Sequence, residues 1–133
     1  MLKDTILVVD DQEVNRTILS EMFRNIYRVL EADNGLDALS IVEKERKRIS
    51  VILLDIIMPV MDGFEVLKKL KDNGDLKRIP VVLITGDKSD EAESTGYGLG
   101  ITDFITKPFN PKIVKTRVSN TINLYMYKNN LED

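Results

Sequence analysis

Four short apolar runs in this chain each end at, or just beyond, a polar side chain able to do chemistry. Ile6-Leu7-Val8-Val9 leads into Asp10-Asp11, and Val51-Ile52-Leu53-Leu54 into Asp55. Val81-Val82-Leu83-Ile84 leads into Thr85, and Phe104-Ile105-Thr106 into Lys107-Pro108. A fifth run, Tyr27-Arg28-Val29-Leu30, ends without a reactive group. If the runs are parallel strands, three carboxylates, a hydroxyl and an ammonium converge at one edge of a sheet. Two carboxylates 4 Å apart repel by about 4 kcal/mol at an effective dielectric near 20, so a proton, a lysine or a metal must neutralise such a cluster. Carboxylate oxygen is the ligand Mg²⁺ prefers, in a shell that keeps waters and leaves room for phosphate. Lys107 can neutralise one phosphoryl oxygen and Thr85 can donate a hydrogen bond to another. With Mg²⁺ they form a clamp suited to the spread charge of a transferring phosphoryl group. One carboxylate is then the nucleophile. Asp55 stands alone, while the adjacent pair Asp10-Asp11 suits a metal.

The elements that must position these groups are legible as two alternating periodicities. Short β-branched runs occur near 5–9, 27–31, 51–54, 80–84 and 103–106, with helical spacing between them. Val14, Ile18, Leu19, Met22 and Phe23 form one stripe; Leu36, Leu39 and Val42 a second; Phe64, Leu67 and Leu70 a third. A helix over about 89–98 starts at a Ser89 cap, but Gly96 and Gly98 weaken it by about 1 kcal/mol each relative to Ala. Gly100 suits a left-handed cap. The last stripe, Ile113, Val114, Val118, Ile122 and Tyr125, begins at an Asn110 cap with Pro111 in the first helical position. Five such strand–helix pairs imply an α/β fold, a five-stranded parallel sheet with helices on both faces. Right-handed crossovers favour the doubly wound order 2-1-3-4-5 with five helices, whose ligand crevice lies between strands 1 and 3. Asp10-Asp11 and Asp55 stand at the ends of those two strands.

Bulk properties narrow the classes. At 133 residues the chain is one domain by length. Nineteen Lys plus Arg against 22 Asp plus Glu leave a net charge of −3, which favours neither nucleic acid nor an anionic membrane as partner. The sequence has no cysteine and no histidine, which excludes disulfides, thiolate sites and imidazole chemistry. No signal-peptide core is evident and no apolar run approaches the ~20 residues that span a bilayer. A soluble, cytoplasmic protein is expected.

The segments at 6–11, 53–63 (Leu-Leu-Asp-Ile-Ile-Met-Pro-Val-Met-Asp-Gly), 84–86 (Ile-Thr-Gly) and 103–109 (Asp-Phe-Ile-Thr-Lys-Pro-Phe) together resemble the receiver domain of response regulators in bacterial two-component signalling, including the chemotaxis receivers. That resemblance spans most of residues 4–125, in the family's order and spacing, and implies a flavodoxin-like fold. It implies that Asp55 is the phosphoacceptor, Asp11 a direct Mg²⁺ ligand, Asp10 a ligand through water, and the Ile57 carbonyl a third protein ligand. Thr85 and Lys107 match the phosphoryl-sensing pair, Phe104 the aromatic switch position, and Lys107–Pro108 a bond that is normally cis. Gly86 leaves the access that the family prefers after the threonine. Ile57 and Asp87 occupy the positions that tune acyl-phosphate lifetime. An apolar Ile57 orients no water, while Asp87 either orients one or repels the phosphoryl group.

The implied function is a phosphorylation switch, not an enzyme acting on other molecules. A sensor histidine kinase or phosphotransfer protein supplies the phosphoryl group, and conformational change reaches a face built from the fourth helix, fifth strand and fifth helix. That face is also where receivers of this kind form homodimers. Residues 1–125 form the receiver, and 126–133 extend its last helix or begin a linker to an output domain in a longer chain. A stand-alone regulator is the alternative. Two other classes compete with this reading: a degenerate receiver acting as an interaction module, and an aspartyl-phosphate phosphatase of similar fold. The first lacks an acid or the lysine, and here all are present. The second places a further acid two residues after its nucleophile, where this chain has Ile57. The Gly96–Gly100 stretch follows a helix rather than a strand, so it is not read as a phosphate loop. The basic run Lys44–Arg48 reads as a solvated helix end.

Overall fold

The computed structural model describes residues 3–132. Met1, Leu2 and Asp133, at the margins of the two expected segments, lie outside the described residues. Five strands, β1 (Thr5–Val9), β2 (Arg28–Ala32), β3 (Ile49–Leu54), β4 (Val81–Thr85) and β5 (Asp103–Thr106), alternate with five helices. The helices are α1 (Glu13–Phe23), α2 (Gly35–Glu45), α3 (Gly63–Asp72), α4 (Asp90–Leu99) and α5 (Pro111–Glu132). A single 3-10 turn, Asp75–Lys77, joins α3 to β4. All strand pairs are parallel and the order is 2-1-3-4-5, as the alternation requires.

Side chains that alternate along each strand feed two separate cores. Leu7, Val9, Ile52, Leu54, Val81, Leu83 and Phe104 pack on one face with residues of α2, α3 and α4. Ile6, Val8, Val51, Leu53, Val82, Ile84 and Ile105 pack on the other with α1 and α5. Because both faces are covered, the strands read as unbroken apolar runs.

The helices bury less of their predicted stripes than expected. In α1, Leu19 and Phe23 are buried, but Val14 and Ile18 are exposed. Leu36 in α2 and Ile113 in α5 are exposed as well. All but Ile18 lie in first turns, beside the carboxyl edge of the sheet, where a helix has not yet come down onto it. In α2 the contact is made instead by Gly35, Ala38 and Val42. Helix starts are well specified: Ser89 Oγ accepts from the Ala92 amide at 3.1 Å, and Asn110 Oδ1 from the Lys112 amide at 2.9 Å. Asp62 and Glu65 form a reciprocal capping box at α3. In α4, a Cβ on Gly96 would lie 2.8 Å from the side chains of Ile101 and Leu83. The residue that costs helix propensity there is the one that lets the helix lie against the sheet. Gly100 takes the left-handed cap at φ +108°.

The basic run at 44–48 is not simply solvated. Arg46 pairs with the buried Asp75 of the 3-10 turn at 2.5 Å, and Arg48 with Asp4 at 2.7 Å. Sequence spacing could not reveal these pairs, because each joins segments 29 and 44 residues apart. The Arg48 guanidinium, with help from Thr5, holds the Asp4 carboxyl at about 2, below its ordinary 3.8. A pKa lowered on folding adds stability above the unfolded value, and that stability is lost as pH falls toward the folded value. Urea midpoints of the wild type are therefore expected to drop more steeply between about pH 4 and about pH 2 than those of Asp4→Asn. Parallel curves would refute the pairing.

Candidate functional site

Register brings the strand ends together. Val9 stands opposite Leu54, so Asp10 and Asp55, each one residue beyond its strand, are neighbours. The ladder continues past the strand limits: the Asp55 amide donates to Val9 O at 3.0 Å, and the Lys107 amide to Thr85 O at 2.7 Å. The second bond fixes where Lys107 leaves β5. Its Lys107–Pro108 peptide is cis, and its ammonium lies over the acids.

That ammonium donates to Asp10 Oδ2 at 2.7 Å and to Asp55 Oδ2 at 2.8 Å. Both carboxylates are nearly inaccessible, while Asp11 is exposed. One oxygen each from Asp10, Asp11 and Asp55 lies within 4.8 Å of the others. Burial pushes the Asp10 carboxyl up, against hydrogen bonds from Lys107 and from the Gln12 amide. Burial also opposes the charge on Lys107, but its bonds to Asp10 and Asp55 outweigh this and raise its pKa. One ammonium thus bridges two carboxylates in a partly dry site. A hard divalent cation would find three carboxylate oxygens here, the donor chemistry that Mg²⁺ takes.

The remaining predicted residues are placed less uniformly. Thr85 is fully buried at the end of β4, and its Oγ1 accepts from the Asp87 amide at 3.3 Å. Phe104 is buried in the core with Leu83, Ala92 and Ile101. Ile57 projects into solvent. The Asp87 carboxylate is tied to the Ser89 amide at 3.0 Å, a bond that holds its pKa down.

Comparison with known proteins agrees with this geometry. Residues 6–119 match the family model of the response regulator receiver domain. The chain belongs to this family. Over 114 residues the receiver is 39% identical to a probable cyclic di-GMP phosphodiesterase of Vibrio cholerae, covering 86% of this chain but only 25% of that protein. It is 37% identical to the two-component response regulator ORR3 of Oryza sativa subsp. indica, covering 88% of each. Its fold matches the chemotaxis response regulator CheY4 of Vibrio cholerae with a TM-score of 0.81 and 32% identity, over 90% of this chain and 98% of that one. No helix among the described residues is long and apolar enough to cross a membrane.

Sequence reasoning missed some of the receiver's supports. Arg16 Nη1 donates to Asp10 O at 2.8 Å and its Nε pairs with Glu31 at 3.2 Å, tying α1 to the end of β1. Nothing in the spacing marks Arg16 for this. Gly63 is the other support. A Cβ there would lie 2.3 Å from the Asp55 carbonyl oxygen, so only glycine lets α3 start against the backbone of the acid.

The loop between β3 and α3 also carries strain. Val60 has φ +71°, and no other non-glycine among the described residues has positive φ. A β-branched residue is poorly suited to that region, and its side chain is 79% exposed, so packing returns little. Val60→Gly is expected to raise stability by about 1 kcal/mol, the low end of the cost of such strain. The midpoint of urea unfolding measures it. Val60→Ala, which keeps the positive φ, should gain much less, and an equal gain from both would point to lost surface hydrophobicity instead.

Proposed function

We propose that this receiver is a phosphoryl-accepting switch in which Asp55 is the acceptor. The observation that carries this reading is the Lys107 ammonium held between the Asp10 and Asp55 carboxylates, with Asp11 beside them. Asp55 attacks phosphorus through a carboxylate oxygen, the bond from phosphorus to the donor nitrogen breaks, and the leaving imidazole takes a proton. The chain has no histidine, so the phosphohistidine belongs to a sensor kinase or phosphotransfer protein. Lys107 turns from its two carboxylates to the incoming phosphoryl oxygens, and Thr85 donates its hydroxyl to another.

Asp10, Asp11, Asp55 and the Ile57 carbonyl would hold Mg²⁺, which when bound neutralises charge building on the phosphoryl group. Phe104 stands opposite Leu83 in the sheet and shares a buried core with Ala92 of α4, so a pull on Thr85 would be felt at the face formed by α4, β5 and α5. Residues 126–132 continue α5, and the segment 126–133 would lead to an output domain or partner, in keeping with relatives much longer than this chain. Ile57 is apolar and Asp87 is engaged by Ser89, so neither is poised to activate a hydrolytic water, which favours a long-lived acyl phosphate.

Incubation with acetyl phosphate and Mg²⁺ tests the reading. One acid-stable, base-labile phosphoryl adduct is expected on Asp55, absent when a chelator is added. Mg²⁺ alone should stabilise the native state by about 2.7 kcal/mol at about a hundredfold excess over Kd, seen as a higher melting temperature. Asp11→Ala should abolish both that rise and the adduct. A variant that still melts higher with Mg²⁺ would remove Asp11 from the metal site.

A further inference from the structure

The loop between β3 and α3 is held at two places by glycines. At its neck the Gly63 amide donates to Ile56 O at 2.8 Å, and Gly63 lies against the Asp55 backbone. At its far end, Gly35 opens α2 directly against Met61. A Cβ on Gly35 would lie 2.8 Å from the Met61 carbonyl oxygen, 2.8 Å from Met61 Cγ and 2.7 Å from Val66 Cγ2. A side chain can turn aside from such a contact. A carbonyl oxygen moves only if the loop moves with it.

The loop has little slack to absorb that movement. Met58 is buried, and Met61 packs against the same core as Ala38, Val42 and Val66. Between them the Met61 amide donates to Pro59 O at 2.7 Å, across Val60 with its φ of +71°. A three-residue turn with that φ is strained, and Pro59 cannot change its own φ to relieve it. Docking of Met61 on the start of α2 offsets that strain. Ile57, whose carbonyl is the third protein ligand proposed for Mg²⁺, lies inside this closed segment, one residue past the neck.

We propose that Gly35 is a positioning residue for the metal site, tuning its choice between Mg²⁺ and Ca²⁺ towards Mg²⁺. The inference rests on the reading of Asp10, Asp11, Asp55 and Ile57 as ligands. Mg²⁺ demands near-ideal octahedral geometry at about 2.0–2.1 Å, whereas Ca²⁺ accepts flexible arrangements at about 2.3–2.6 Å. With its tip against Gly35, the loop holds the Ile57 carbonyl to one position, which favours the more demanding ion. A slightly lifted loop still serves the larger one. Gly35 itself offers no ligand and acts through Met61.

The test is ¹⁵N-NMR titration with MgCl₂ and with CaCl₂ at constant ionic strength, which gives both dissociation constants. In Gly35→Ala, Mg²⁺ should bind about tenfold more weakly, the lower end of the cost of losing a support outside the ligand shell. Ca²⁺ should weaken by less than about threefold, because its shell tolerates displaced oxygens. Gly96→Ala is the matched control: its Cβ would meet Leu83 and Ile101 at the same 2.8 Å, but in α4 and away from the metal loop. It should leave the ratio of the two constants unchanged, so lost stability alone does not account for a shift. Met61→Ala removes the side chain that docks the loop, without adding an atom. It should change the ratio in the same direction as Gly35→Ala, and it stands in if that variant does not fold. A wild-type ratio in Gly35→Ala or in Met61→Ala, or an equal change in Gly96→Ala, overturns the role of Gly35. Absence of Mg²⁺ binding by the wild type overturns the metal reading, and this proposal with it.

Discussion

Asp55→Asn is expected to take up no phosphoryl group from acetyl phosphate and Mg²⁺ under conditions that label the wild type. The substitution keeps the shape of the side chain and its place beside Val9 at the end of β3. The backbone contact with Gly63 is untouched, because the atom that approaches Gly63 is the Asp55 carbonyl. What is lost is the anionic oxygen, and a carboxamide is not a nucleophile toward phosphorus at neutral pH. Asp10 is the poorer substitute, because its Oδ1 is held by the Gln12 amide at 2.9 Å, whereas Asp55 Oδ1 has only a longer 3.4 Å bond from the Ile57 amide. Intact mass spectrometry decides the matter, and an undiminished adduct in Asp55→Asn would move the acceptor elsewhere. The variant should not be less stable than the wild type, since it removes one of two neighbouring buried negative charges.

The second large effect is expected from Lys107→Met. Methionine keeps most of the volume and flexibility of the stem, but leaves Asp10 and Asp55 facing each other without the ammonium. Removing one partner of a buried ion pair costs about 3–5 kcal/mol. The lysine side chain is 17% exposed, so a loss of about 2–4 kcal/mol is expected. Two further measurements separate electrostatics from packing. Mg²⁺ should restore more stability to Lys107→Met than it adds to the wild type, because the ion then meets the acids with no competing ammonium. Adding Asp10→Asn should recover most of the loss, giving a coupling energy of the size found for contacting residues. A Lys107→Met protein as stable as the wild type, with or without Mg²⁺, would mean that the ammonium neutralises nothing there. The variant should also fail to transmit phosphorylation, if Lys107 is the residue that turns to the phosphoryl group as proposed.

Both expectations rest on strand ends that could be located before any coordinates. The runs at 6–9 and 51–54 are long, β-branched and bounded by acids, so β1 and β3 were found within two residues of their true limits. Helix faces were harder. The stripe in α1 was read as five residues, yet Val14 and Ile18 face solvent. Periodicity shows which residues share a side of a helix, not how far along its length the sheet reaches. The weak reading of α4 had the same origin: Gly96 looks like a helix breaker until the 2.8 Å approach to Leu83 and Ile101 is known. The turn at 75–77 and its Asp75–Arg46 clamp were missed because three residues carry no periodic signal.

The sequence by itself determined the alternation of strands and helices, the order of the sheet and the identity of the acids, hydroxyl and lysine at its carboxyl edge. These depend on local pattern: apolar period, caps and the polar residue that ends each strand. Only the tertiary structure decided that one ammonium bridges Asp10 and Asp55, that Arg16 anchors the end of β1 and that Asp87 is bound to Ser89. It alone disclosed that Gly35 lets the Met61 carbonyl close on the start of α2. Such contacts join groups distant in sequence, and their distances follow from packing rather than from any local preference of the chain.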